Sequence, residues 1–164
     1  MYKVYRVNSS LGRELRIKRE VSRISEDCIF CNIINHKANA IIIDQNDAAL
    51  AFLDRFPLRA GHTLVVTKTH YSKIQEIQPA EMISLFELVT RMTSVLEISL
   101  KVNATLIAIH NGREAGQEVE HVHVHIIPRS IRDGGAPVHS IFKGRTNLDD
   151  SQMESIMRKI KDKL

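Results

Sequence analysis

The sequence predicts an α+β fold: a mainly antiparallel sheet of about five strands, a long helix packed on it, and a helix at the C-terminus. Three observations carry this. Short β-branched runs recur between turn residues. One long stretch has a helical apolar period. One strand, "HVHVHII", alternates strictly between histidine and aliphatic residues.

Residues 1–26 are polar and basic and read as an N-terminal extension. Residues 27–130 read as the domain core, and 131–164 as a C-terminal loop and helix. In "EDCIFCNIINHK", Ile29, Phe30, Ile33 and Ile34 fall at helical spacing behind two acids. Acids suit the positive end of a helix, so a short helix is expected, ending near Asn35. "AIIIDQNDAALAFLD" gives two apolar runs split at Asp44–Asp47, a hairpin. "HTLVVTK" (62–68) reads as a buried strand. In "QPAEMISLFELVTRMTSVLEISLKV", Pro79 suits an early helical position, and Met82, Leu85, Phe86, Val89, Met92 and Leu96 form one stripe. "ATLIAIH" (104–110) is a further strand, and "NGREAGQE" is a polar loop. "HVHVHII" is a strand that Pro128 is expected to end. In the last helix, Asp149, Asp150 or Ser151 is the expected cap.

The formal charge of +4 is uneven, because residues 1–24 hold seven Lys/Arg and only two acids. The remainder is close to neutral. That argues against nucleic acid as the main ligand, since such a footprint should lie on a folded face. No apolar run approaches the roughly 20 residues of a membrane span. A cytoplasmic protein is expected, with mitochondrial import as the alternative if the arginine-rich arm is a transit peptide.

Successive strand side chains alternate faces, so His121, His123 and His125 are expected on one face at steps of about 6.6 Å. Val122, Val124 and Ile126 then face the core. Histidine is an average strand former, so packing gives no reason for three. A chance polar face, a metal-binding His-x-His pair and a histidine nucleophile with helpers are the three readings. An imidazole that attacks phosphorus through one nitrogen needs its other nitrogen protonated and held. A backbone carbonyl two residues back can do this, which favours the middle histidine. The preceding loop supplies Asn111, Gly116 and Gln117, suited to close approach and donation to phosphate oxygens. Cys28 and Cys31 form a Cys-x-x-Cys pair, a sign of metal or redox chemistry inside a cell; two simple core cysteines are the plainer reading.

With these residues in hand, the chain resembles the histidine-triad (HIT) superfamily of nucleotide hydrolases and transferases. The signature His-x-His-x-His with two apolar residues fits "HVHVHII". "CIFCNII", "LAFLDRFPLRAGHTLVVTKTH" and "NGREAGQEVEHVHVHIIPR" match in order, from about Cys28 to Arg129. The resemblance implies that His123 attacks the α-phosphate of a purine nucleotide substrate, forming a nucleotidyl-histidine that water hydrolyses. The carbonyl of His121 would take the other ring proton, His125 would meet the phosphate or leaving group, and His62 would support them. Asn111, Gly116, Gln117 and the backbone amide of Glu118 would surround the phosphate. Asp54 would bind the ribose, and Ile29, Phe30, Ile33 and Phe52 would flank the base. Glu118 departs from the Ser or Thr usual in relatives. The resemblance further implies a structural Zn²⁺ on Cys28, Cys31, His70 and His121, and a homodimer joined through the long helix and a central strand. A nucleoside phosphoramidate and a dinucleoside polyphosphate both fit as substrate. A nucleotide-binding scaffold with weak turnover and a metal-dependent hydrolase are the rival functions.

Overall fold

The structure, a computed structural model, describes residues 27–137, 140, 144 and 146–164. The basic extension, with the transit-peptide reading attached to it, lies outside the described residues. The chain divides into two compact units, Met1–Pro128 and Arg129–Leu164.

The first unit runs α1 (Ile29–Ile34), β1 (Ile42–Gln45), β2 (Ala49–Leu53), β3 (Thr63–Thr67), α2 (Pro79–Leu100), β4 (Ala104–Ala108) and all but the last residue of β5 (His123–Arg129). The strands form one five-stranded sheet in the order β1-β2-β3-β5-β4. The pairs β1–β2, β2–β3 and β3–β5 are antiparallel. The expected α+β architecture is therefore present.

Strand alternation gives the sheet two buried faces. Ala49, Ala51, Val65, Val122, Val124 and Ile126 lie in one core with Leu85, Leu88, Val89, Met92 and Leu96 of α2. Leu50, Phe52, Leu64 and Val66 lie in the other with Phe30, Cys31 and Ile33 of α1. Val66 pairs with His123 and Leu64 with His125. The histidine side chains therefore share the α1 face, and α1 makes that face an interior. His121 and His123 are both buried.

Three expectations need correction. On α2, Leu88 is fully buried while Phe86 is 37% exposed. Phe86 lies about 100° around the helix from Leu85, at the rim of the sheet-facing arc. Strand β5 starts at His123, so His121 precedes the strand. His121 N–H donates to the Val119 carbonyl and Val122 N–H to the Tyr71 carbonyl, both outside the ladder. Pro128 does not end the strand, which continues to Arg129. Pairing with β3 stops at Thr63–Ile126, so that ladder asks for no N–H at Pro128.

The second unit contains α3 (Asp150–Lys161). Asp149 is its cap: Oδ1 accepts the N–H of Gln152 at 2.8 Å, and the Gln152 side chain returns to the Asp149 N–H at 3.0 Å. Among the described residues, no helix is long and apolar enough to cross a membrane.

Candidate active site

The centre of the site is His123. Its Nδ1 lies 2.6 Å from the backbone carbonyl of His121. A carbonyl only accepts, so Nδ1 carries the proton and Nε2 is left with its lone pair. Burial lowers the pKa of the ring; the carbonyl bond, Asp54 and Glu118 pull it back up, and His110 pushes it down. The ring is therefore neutral at pH 7 with a fixed tautomer, the form in which an imidazole is a nucleophile.

The loop before β5 is built around the same carbonyl. Gln117, also buried, donates from Nε2 to the Ser72 carbonyl at 2.9 Å and to the His121 carbonyl at 3.4 Å. Its Oε1 accepts the N–H of Gly112 at 2.8 Å. Gly116 has φ +91°, a conformation suited to glycine, and open space where a Cβ would stand. Asn111 bridges to the segment before α2: Oδ1 accepts the Ile74 N–H at 2.9 Å and Nδ2 donates to Gln75 at 3.1 Å. Glu118 is exposed, yet close enough to raise the basicity of His123.

A second chain of contacts meets the site from β3. His62 Nε2 and His125 Nδ1 are 3.0 Å apart. His62 Nδ1 lies 3.3 Å from the Leu58 N–H donor and 3.4 Å from the Asp54 carboxylate. Among the described residues, the buried His125 Nε2 has no hydrogen-bond partner. Burial, with the neighbouring imidazoles His123, His62 and His110, lowers the His125 pKa to about 4. It is a neutral ring with one unspent nitrogen.

The cysteines meet the site from α1. Cys28 Sγ lies 3.5 Å and Cys31 Sγ 3.7 Å from His121 Nδ1, and Cys31 Sγ lies 3.3 Å from His70 Nδ1. All four ligand atoms fall within 4.8 Å of one another. Zn–S bonds of about 2.3 Å and Zn–N bonds of about 2.0–2.1 Å at tetrahedral angles give S···N edges of about 3.6 Å. The three S···N distances of 3.3, 3.5 and 3.7 Å lie close to that edge. His121 Nε2–H donates to the Thr67 carbonyl at 2.8 Å, which leaves Nδ1 bare, as a metal ligand requires. Burial lowers its pKa to about 4 and keeps it neutral. Asp54, His62 and His125 also cluster, but the Leu58 N–H is aimed at His62 Nδ1, so that group is wired as a hydrogen-bond chain.

Among the expected base-flanking residues, Phe30, Ile33 and Phe52 are buried and Ile29 is 46% exposed. The Phe30 ring stands 5.2 Å from that of His123 and 5.7 Å from that of Phe52. Sequence reasoning missed two residues. His110, just beyond β4, puts its ring 5.3 Å from His125. Thr67 supplies the carbonyl that orients His121. His110 stood directly before the loop already singled out, which was a signal. Thr67 had none, because it acts through its backbone.

The site thus sets a neutral, oriented imidazole on the sheet with a polar glycine-containing loop beside it. Residues 35–131, more than half of the chain, match the HIT domain, and the chain belongs to that family. An uncharacterized HIT-like protein of Methanocaldococcus jannaschii is 45% identical over 107 residues, 65% of this chain and 82% of that one. An adenylylsulfatase of Arabidopsis thaliana is 31% identical over 144 residues, 87% and 73% of the two chains. A HIT family protein from Bacillus subtilis superimposes with a TM-score of 0.75 at 30% identity, covering 85% of this chain and 98% of that one. A Zn-bound histidine triad family protein from Mycobacterium smegmatis gives a TM-score of 0.62 at 33% identity, covering 65% and 78%.

Proposed function

We propose that this chain is a nucleotide hydrolase or transferase that works through a covalent nucleotidyl-histidine on His123. The observation that carries this is the 2.6 Å bond from His123 Nδ1 to the His121 carbonyl, in a ring that burial keeps neutral. Nε2 attacks the α-phosphorus, the bond to the leaving group breaks, and the leaving group departs with the electron pair, an amine leaving group also gaining a proton from solvent. Water then attacks the same phosphorus. The N–P bond breaks, its electron pair returns to Nε2, and the water proton passes to solvent. The carbonyl of His121 stabilises the positive charge that the ring carries while phosphorylated.

The substrate is a purine nucleotide with its α-phosphate activated, as a phosphoramidate, a dinucleoside polyphosphate or a sulfate anhydride. The adenylylsulfatase relative supports an adenylyl group. Asp54 takes the ribose hydroxyls. Ile29 is the base-flanking candidate with open surface, while Phe30, Ile33 and Phe52 form the floor behind it. Gly116 and the Glu118 amide line the phosphate, with His125 Nε2 beside it. Gln117 and Asn111 act by holding the loop, since their amides are already bonded within the protein. A reducing compartment such as the cytoplasm suits the two thiols.

We further propose a structural zinc on Cys28, Cys31, His70 and His121. Bound there, it would tie α1 to the turn before β5 with no coordination position left for water. A metal-dependent hydrolase is disfavoured because the three histidines do not converge on one point. His121 turns to the cysteines, His123 Nδ1 to a carbonyl, and His125 Nδ1 to His62.

The test is to incubate the protein with adenosine phosphoramidate or adenylyl sulfate, quench it, and measure its mass. An adenylyl adduct that is absent in His123→Ala is expected, with turnover in that variant lower by at least about 10³-fold. Turnover that survives in His123→Ala without an adduct would refute the mechanism. Binding without turnover in the wild type would favour the scaffold function.

A further inference from the structure

The nucleophile uses one pair of atoms, the His123 ring and the His121 carbonyl. The chain Asp54–His62–His125 remains, with an unusual feature at its middle. His62 Nδ1 faces two partners that want opposite things. The Leu58 N–H, 3.3 Å away, is a donor and needs a bare nitrogen. The Asp54 carboxylate, 3.4 Å away, is an acceptor and needs N–H. A neutral imidazole can satisfy only one of them. The Leu58 contact has hydrogen-bond geometry, and the Asp54 oxygen stands 3.4 Å away as the competing acceptor.

The choice propagates, because His62 Nε2 and His125 Nδ1 are 3.0 Å apart and need one proton between them. If His62 Nδ1 is bare, Nε2 holds the proton and donates to His125 Nδ1. His125 then keeps its own proton on Nε2. If Nδ1–H turns to Asp54, Nε2 is bare, His125 must donate from Nδ1, and its Nε2 is bare as well. The buried, unpartnered Nε2 of His125 is therefore a donor in one state and an acceptor in the other. Only the donor state helps beside a phosphate oxygen that gains negative charge in the transition state.

We propose that nucleoside recognition selects this state: ribose hydroxyls on Asp54 release His62 Nδ1 to the Leu58 N–H and present His125 Nε2–H to the phosphate. This rests on the nucleotide reading above, which gives Asp54 its ribose. Asp54 Oδ1 already accepts the Phe56 N–H at 2.8 Å. Two hydroxyl donors take two of the roughly three remaining lone-pair sites and weaken the pull on His62. His125 itself gives up no proton. His125 contributes a hydrogen bond, and Asp54 is a positioning residue that acts through His62. The ribose would thus speed the chemical step as well as hold the nucleotide, which uses binding energy remote from the reacting atom.

The experiment uses imidazole nitrogen chemical shifts of ¹⁵N-histidine-labelled protein. Adenosine should move His62 and His125 to the Nε2–H form. 2′,3′-Dideoxyadenosine, at saturating concentration, should leave them unmoved, and Asp54→Asn should show the Nε2–H form with no ligand. In kinetics, 2′,3′-dideoxyadenosine phosphoramidate should lose about 10²-fold in kcat, the effect of one transition-state donor, besides raising KM. In His62→Gln, removing the hydroxyls should change KM alone. The proposal is overturned if saturating adenosine leaves the nitrogen shifts unchanged, if the dideoxy nucleoside shifts them equally, or if hydroxyl removal in the wild type raises only KM. A histidine adduct with unmoved His62 shifts would overturn the coupling and leave the hydrolase intact. Shifted nitrogens without any adduct would do the reverse.

Discussion

At the residue scale, three histidines of one type have three different partners, and that difference is the chemistry. His121 is a candidate metal ligand whose carbonyl serves its neighbour, His123 is the proposed nucleophile, and His125 ends the chain from His62. Gly61 shows how tightly this is set. It directly precedes His62, has φ +81°, and a Cβ there would fall 2.3 Å from Leu100 Cδ1 at the end of α2. Gly61→Ala is expected to cost about 1–3 kcal/mol, from the left-handed backbone and the overlap with Leu100 together. Urea unfolding of the variant measures this directly; a change below about 0.5 kcal/mol would mean that the backbone relaxes freely.

At the element scale, α1 decides what kind of surface β5 has. Six helical residues are too few to be stable alone. They are held by Phe30, Cys31 and Ile33, buried against β2 and β3. A metal on the Cys/His cluster would add a second hold, tying α1 to the turn that carries His121. Chelation is therefore expected to lower the melting temperature by roughly 5–10 °C, a shift worth one or two kcal/mol in a domain of this size. Activity at low temperature should outlast that loss, because the ring of His123 lies outside the ligand set. Melting curves and rates measured with and without chelator separate the cases. Immediate loss of rate with unchanged melting would mark the metal as catalytic.

At the scale of the whole molecule, buried neutral histidines couple folding to pH. His121 falls from 6.5 to about 4 on burial. Between those values the unfolded chain binds a proton there and the folded chain does not. Stability therefore rises with pH across this window, and is lost as pH falls from 6.5 toward 4. For His121 alone the full effect is on the order of 3 kcal/mol. Bound zinc would steepen the loss, since protons compete for its ligands. Denaturant titrations at pH 7 and pH 5 test the sign, and equal stability at both would contradict it. The outer surface carries a second expectation. Ile83, Phe86 and Ile98 of α2 are exposed, as is Ile107 of the edge strand β4. We propose that these elements meet their copies in a homodimer, which would cover both the apolar residues and the open edge. Sedimentation should then give twice the 18.7 kDa chain mass, and a monomer at micromolar concentration would refute it.

The sequence by itself determined the elements and the shared face of His123 and His125, and it singled out His123 as the residue proposed as nucleophile. These follow from local rules: period 2 in a strand, period 3.6 in a helix, and a carbonyl two residues back along the same chain. Even here it erred where a neighbour intervened, at Leu88 against Phe86 and at the start of β5, because burial depends on what packs opposite. The tertiary structure alone decided that the imidazole face is an interior, and that Asp54, Leu58 and His62 reach His125. It also drew His110 and Thr67 into the site, and gathered Cys28, Cys31, His70 and His121 at ligand spacing. Those groupings join residues up to 93 positions apart, and no local periodicity encodes a distance across the sheet.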